Sequence, residues 1–526
     1  MKTEGACFFV TRRNPLYDML LAQHDIFALS KYDMQSKTIA RIVNPAGIYI
    51  AERVKKRLRL LTRSFIPTRV YRVFMPPTRN LPVCCAILKN TNNGEGNGMN
   101  IRFYNARILP MATADGTVIE GELWVKDDRI VLVGEANGRE PLAFDREIDC
   151  KGNLLLPGFK NAHTHSAMTF LRSFADDKPL HNWLHEDVFP MEAHLTGDDI
   201  YDLTKLAVLE YVSGGITAAF DMYYHVDRIA ECARDTGFRF VICGAANDYG
   251  GTAESTRRDY EMLNAFDPLV SCRLGFHAEY TTNESLLRDL AALAEELKAP
   301  VFTHLSETAA EVDGCIARTG ISPIAYLDSL GMFRYGGGGF HMVHPREGDL
   351  AIMKARGLYV CTNPGSNVKL SSGVAPIELY YREGIPVAIG TDGPASNNCL
   401  DFFREMFLVT GLQKLTEGAA AADPVKVLHS ACNVGAGMMG LDDCDCLAVG
   451  KQADLVLLDL HTPNMQPINN IAKNVVYSGN KQNVALTMVA GKVLYEHGRY
   501  AFDVDPEAVY AKAIEIIARI RMQEGR

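Results

Sequence analysis

Between residues 157 and about 395 a short apolar segment recurs eight times, each separated from the next by a stretch with helical spacing. The segments are "LLLPGFKNAHTH", "ITAAFDMYY", "RFVICGAAN", "SCRLGFHAEY", "APVFTHLSE", "GGFHMVHP", "GLYVCTNPGSN" and "IPVAIGTDG". Between the fourth and fifth, "TNESLLRDLAALAEELKA" opens on Thr/Asn and carries helical apolar spacing. Strands that read as continuously apolar are buried on both faces, as parallel strands covered by helices are. Eight of them alternating with helices predict an α/β fold of the (β/α)8 TIM barrel type, over residues 157–440. The flanks have a different rhythm. "GELWVKDDRIVLVGE" alternates about an Asp127-Asp128 turn, and strand character returns in "VGKQADLVLLDL" and "NVALTMVAGKVLYEHGRY". Residues 99–156 and 441–526 are therefore expected to form one small β-sandwich domain from both chain ends, closed by a helix in "DPEAVYAKAIEIIARIRMQ".

Composition limits what such a chain does. Residues 1–98 carry ten more basic than acidic side chains and end in the linker-like "NTNNGEGNG", so the remainder is strongly acidic. No apolar core followed by a small-residue cleavage site marks the basic segment as a signal peptide. We expect it to be disordered or non-native, with translation starting near Met99; a native peptide upstream of Met99 in mass spectrometry would reject this. No stretch reaches the roughly 18 to 20 apolar residues of a membrane span. A net charge of −9 argues against a nucleic-acid or membrane-surface binder. Thirteen scattered cysteines in so large a chain read as reduced and cytoplasmic. Cys444 and Cys446, in "DDCDCLAVG", have neither zinc-knuckle nor redox spacing and read as structural.

Barrels of this type gather reactive groups at the C-terminal strand ends. His163 and His165 end the first candidate strand, on one face because strand side chains alternate. His277, His304, His341 and Asp392 end the fourth, fifth, sixth and eighth. Such a convergence predicts a metal site. Nitrogen and carboxylate donors without cysteine suit one divalent ion per subunit, Zn²⁺ first, with Fe²⁺ or Mn²⁺ as alternatives. Glu307, three residues past His304, shares the mouth and can protonate a ring nitrogen or a leaving group. "HAE" at 277–279 matches the H-x-E of cytidine-type zinc deaminases, but the chain has no C-x-x-C to complete that motif.

These residues resemble the amidohydrolase superfamily, and within it the 5-methylthioadenosine/S-adenosylhomocysteine deaminases. The similarity runs from Met99 to the C-terminus through "HTHSAMTFLRSFADDKPLHNWLHEDVFPMEAHLT", "THLSET", "HMVHP", "NPGSNVKLSSGVAP" and "GTDGPASNN". It implies metal ligands His163, His165, His304 and Asp392. It also implies a hydroxide held by His341, a water proton taken by Asp392, and a proton delivered to purine N1 by Glu307. The 6-amino group of an adenine nucleoside would leave as ammonia. Trp183 and Glu192 match positions beside the nucleoside, the carboxylate accepting from the ribose hydroxyls, while His277 and Ser396 match base or ribose contacts. The chain departs from the family where arginines hold the amino-acid tail of S-adenosylhomocysteine: Cys243 or Gly244 stands at the first, and Arg257 or Arg258 is the candidate for the second. Substrates with a small neutral 5′ group are expected to be favoured.

Other readings are a guanine deaminase, a triazine chlorohydrolase, or a non-catalytic barrel serving as a scaffold. Glu307 argues against the chlorohydrolase, whose leaving group is not an amine. Two-metal cyclic amidases use a strand-4 lysine that "SCRLGFHAEY" lacks. The intact ligand set argues against a scaffold. A homo-oligomer is common for such barrels, though no feature of the sequence shows one.

Overall fold

The computed structural model describes residues 98–138 and 142–526. The reading of the basic N-terminal segment therefore falls outside the described residues. Among the described residues five strands come first: β1 (Asn100–Ile108), β2 (Ile119–Lys126), β3 (Arg129–Gly134), β4 (Arg146–Asp149) and β5 (Leu154–Pro157). Asp127, at the tip of the β2–β3 hairpin, has φ 57°, a turn conformation that Asp tolerates. Eight barrel strands follow: β6 (Phe159–Thr164), β7 (Ile216–Met222), β8 (Arg239–Cys243), β9 (Val270–Ala278), β10 (Val301–Leu305), β11 (Gly337–His341), β12 (Tyr359–Thr362) and β13 (Val387–Ile389). The chain ends with β14 (Leu455–Leu458), β15 (Val484–Val489), β16 (Lys492–Glu496), β17 (Arg499–Tyr500) and the helix Pro506–Glu524.

The barrel strands pair in sequence order, all parallel, from β6 to β13. The ring is drawn together just beyond β13, where the Thr391 and Asp392 amides donate to the His163 carbonyl at 3.1 and 3.0 Å. Asn161 exchanges side-chain bonds with Thr391 there. Inside, Ala218, Phe220 and Met222 follow the two-residue period of β7 and pack with Val241, Phe302 and Phe340. The rings of Phe220, Phe302 and Phe340 contact one another, so the interior is filled by side chains.

The flanking strands form one hydrogen-bonded sheet in the order β17-β16-β15-β14-β5-β1-β2-β3, with β4 also on β1. Ile101, Phe103, Leu123, Leu155, Leu455 and Met488 share one core, so the two wings of this sheet cover each other. The apolar run "LLLPGF" is divided between the two sheets. Leu154–Pro157 joins the flanking sheet, and Phe159 begins the barrel. A Cβ on Gly158 would lie 2.0 Å from the Thr217 side chain, so only glycine lets the chain pass there.

A buried charge cluster joins barrel and sheet. Arg239 on β8 forms two 3.0 Å bonds to Asp454, just before β14, and Lys160 on β6 lies 3.7 Å from the same carboxylate. Arg239→Leu leaves Asp454 underpaired in a dry site and should lower the unfolding free energy by about 3–5 kcal/mol, read from urea unfolding; an unchanged transition would refute this. Among the described residues no helix is long and apolar enough to cross a membrane. The ten cysteines among them are unpaired, and Cys444 and Cys446 are buried.

Candidate functional site

Strand ends at the mouth of the barrel bring four donors together. One ligand atom from each of His163, His165, His304 and Asp392 lies within 4.8 Å of the others. Asp392 Oδ1 is 3.4 Å from His163 Nε2 and 3.1 Å from His165 Nε2, and the Nε2 atoms of His165 and His304 are 3.4 Å apart. Surrounding groups fix the outer atoms. His165 Nδ1–H donates to the Met222 carbonyl at 2.6 Å, and His304 Nδ1–H donates to that of His277 at 2.7 Å. Both rings are thereby set in the tautomer whose Nε2 lone pair faces the centre. Ser366 and Ser396 each donate to Asp392 Oδ2 at 2.6 Å, which turns Oδ1 inward.

His163 supplies the test of whether a cation fits. Its side chain is fully buried, its ring stacks on Phe340 at 3.8 Å between centroids, and neither ring nitrogen has a hydrogen-bond partner among the described residues. A buried imidazole without partners is costly unless a ligand satisfies it. Burial pushes its basicity down to about 3, which keeps the ring neutral, the form that binds metal. Burial also drives His304 well below the usual histidine range. For His165 burial acts against the charged form, but the bond and charge of Asp392 outweigh it and lift the ring to about 9, so that a cation bound at Nε2 would displace a proton there. The donor set and its orientation fit one divalent cation.

Above these residues opens a cavity at the barrel mouth. Its wall includes His165, His304, His341, Asp392, Glu307, His277, Glu192, Trp183 and Ser396, so all the metal, proton-transfer and base or ribose candidates from the sequence except the underlying His163 reach it. Glu307 is buried, which raises its pKa, and accepts from the Ser372 hydroxyl at 2.9 Å. His341 Nδ1–H donates to Asn367 at 2.7 Å, and Nδ1 lies 3.8 Å from Glu307 Oε1. His341 and Asp392 both adopt left-handed backbone, with φ 74° and 58°, a cost tolerated where geometry matters to function. The Tyr380 hydroxyl holds the strained segment through the Met342 carbonyl at 2.7 Å.

Further out, Glu192 accepts from the Tyr223 hydroxyl, and burial raises this carboxyl to about 7. His277 Nδ1 pairs with the Thr281 hydroxyl at 2.9 Å, and burial lowers this ring to about 4. Leu180, Leu184, Phe189, Tyr224 and Tyr280 complete an apolar and aromatic lip. The arginines behave differently from expectation. Arg257 is drawn to Glu296 at 2.5 and 2.8 Å, and the Arg258 side chain is 72% exposed. Both sit on the helix Ala253–Leu263, and neither lines the cavity. Cys243 is buried in the barrel interior, while Ala245 faces the cavity.

Residues 154–494 match the profile of the amidohydrolase family. A 5-methylthioadenosine/S-adenosylhomocysteine deaminase from Desulforudis audaxviator is 37% identical over 431 residues, which span 80% of this chain and 99% of that protein. The chain belongs to the amidohydrolase family, among the 5-methylthioadenosine/S-adenosylhomocysteine deaminases. This amidohydrolase is also 34% identical to a 5′-deoxyadenosine deaminase from Methanobrevibacter smithii, over 77% of this chain and 94% of that protein. Among solved structures, an adenosine deaminase from Xanthomonas campestris with bound zinc superposes with a TM-score of 0.76 at 32% identity, over 81% of this chain and 99% of that one.

Proposed function

We propose that the chain hydrolyses the 6-amino group of adenine nucleosides, releasing ammonia and the inosine form, with Zn²⁺ as its cation. The substrates are 5′-methylthioadenosine, 5′-deoxyadenosine and adenosine, with S-adenosylhomocysteine the least favoured. One observation carries the reading: a single cavity joins the four-donor centre to a buried acid, Glu307, and to a second carboxylate, Glu192, placed away from the centre. His163, His165, His304 and Asp392 would hold the cation. When bound, it supplies Lewis acidity that lowers the pKa of a water from about 15.7 toward about 7.

The protein's own groups do the rest. Glu192 accepts hydrogen bonds from the ribose hydroxyls and orients the nucleoside, with Trp183 and the aromatic lip covering it from water. His277 and Ser396 border the base. Glu307 protonates N1, which makes C6 electrophilic as the C6–O bond forms. His341, with Nδ1–H committed to Asn367, offers its Nε2 lone pair to the attacking water and steadies the tetrahedral carbon that results. Asp392 takes one proton of the water and passes it to the amine, so that the C6–N bond breaks and ammonia leaves, while the remaining hydroxyl proton returns to Glu307 as the C6 carbonyl forms.

Among the described residues no Lys or Arg lines this cavity, and Lys178, Arg318 and Lys369 of the cavity adjoining it are already paired with carboxylates. A substrate carboxylate would thus lose its water without gaining an ionic partner, which costs more than a neutral methylthio or hydroxyl group does. An ultraviolet assay of a nucleoside panel, with and without Zn²⁺, tests both points. The three small nucleosides should be converted with higher kcat/KM than S-adenosylhomocysteine. Consumption of guanine or a triazine with adenine nucleosides unchanged would overturn the function. A higher kcat/KM for S-adenosylhomocysteine than for all three would overturn only the 5′ preference.

A further inference from the structure

The three groups assigned to proton handling stand in the loop after β10, at the end of β11 and in the loop after β13, yet each is held by the same short segment. In Asn363–Gly373, which follows β12, the Ser366 hydroxyl donates to Asp392, the Asn367 side chain accepts from His341 and the Ser372 hydroxyl donates to Glu307. All three side chains are buried, at 0%, 1% and 5% exposure, and none lines the cavity. They face catalytic groups and do not face the substrate.

The segment is itself tied down. The Gly365 amide donates to Glu405 Oε2 at 2.8 Å, and Asn397 donates to Glu405 Oε1 at 2.9 Å. A Cβ on Gly365 would come within 2.6 Å of both Asn397 and Glu405, so the backbone sits against its anchor. The Ser372 amide closes back on the Asn367 carbonyl at 2.9 Å, and His344 donates to the Ser372 carbonyl at 2.7 Å. Asn367 and Ser372 are thus fixed relative to each other.

Resting on the deaminase reading above, we infer that Asn363–Gly373 is a positioning clip, in which Asn367 and Ser372 set the orientation of His341 and Glu307 for proton transfer. Asn367 fixes the tautomer of His341. Ser372 occupies Oε1 of Glu307, which leaves Oε2 to carry the proton destined for the ring nitrogen. Supporting bonds of this kind hold reacting groups to within about 0.5 Å of productive geometry, and their loss lowers turnover more than binding.

The test is steady-state kinetics of Asn367→Ala, Asn367→Asp, Ser372→Ala and Ser372→Thr on the best nucleoside, with metal content measured alongside. Removing either side chain should lower kcat by about 10- to 100-fold, with KM and metal content little changed. Asp and Thr retain the acceptor and the hydroxyl and should restore most of the rate. Ser372→Ala made in a Glu307→Gln background should cost nothing further, because its effect runs through Glu307. A rise in KM at unchanged kcat, or the same loss from Ser372→Ala in both backgrounds, would overturn the clip. If Asn367→Ala does not fold, the Ser372 cycle decides alone. An unaltered enzyme that deaminates no nucleoside would instead overturn the function on which the clip rests.

Discussion

Glu307→Gln should reduce kcat for adenosine by about 10²- to 10⁴-fold while leaving KM within a small factor. The amide keeps the size of the side chain and can still accept from Ser372, but it cannot give a proton to N1. Burial, the main cause of the raised carboxyl pKa of Glu307, favours the protonated form that the step requires. Steady-state kinetics of the purified variant, with metal content shown to match the parent, would check this. A variant with parental kcat would remove Glu307 from the chemistry and reopen readings in which no amine leaves.

Stripping the cation should abolish activity, and returning Zn²⁺ should restore it. Four donors converge within 4.8 Å, and among the described residues His163 has no hydrogen-bond partner for either nitrogen, so the folded protein should bind the ion far better than the unfolded chain does. Binding of that kind stabilises the fold by about 4 kcal/mol when free metal is a thousandfold above Kd. Calorimetry should therefore show a higher Tm with Zn²⁺ than after chelation. His165→Ala should lose stoichiometric metal, activity and the Tm response together. A metal-free protein that cannot be reconstituted would support a scaffold.

The sequence made the barrel and its metal donors legible for a physical reason. Parallel strands buried on both faces leave an apolar signature, and a polar residue at the end of such a run has to be explained. His163, His165, His304 and Asp392 all carry that mark, and the structure brings them together. The carboxylate Glu307 was legible from its distance to His304. Ser366, Asn367, Ser372 and Tyr223 carry no such mark, although the first three stand in "NPGSNVKLSSGVAP", because their bonds depend on loop geometry that no periodicity encodes. Phe340 looked like an ordinary core residue, and only its stacking on His163 shows its second role. Arg257 and Arg258 misled for the opposite reason: proximity in sequence to the barrel mouth says nothing about which side of a helix faces it. The division of "LLLPGF" at Gly158 was also hidden, since both halves are equally apolar.

The pairing of β5 with β14 joins Leu154 to Leu458, 304 residues later in the chain. A ribosome therefore delivers the strand that carries His163 long before it delivers the partner that secures the segment leading into it. Until β14 emerges, Leu154, Leu155 and Leu156 have an open edge, the kind of surface that seeks other strands. The order of synthesis thus places the greatest risk of misassembly directly upstream of His163, and makes the last part of the chain the lock on the first part of the active site.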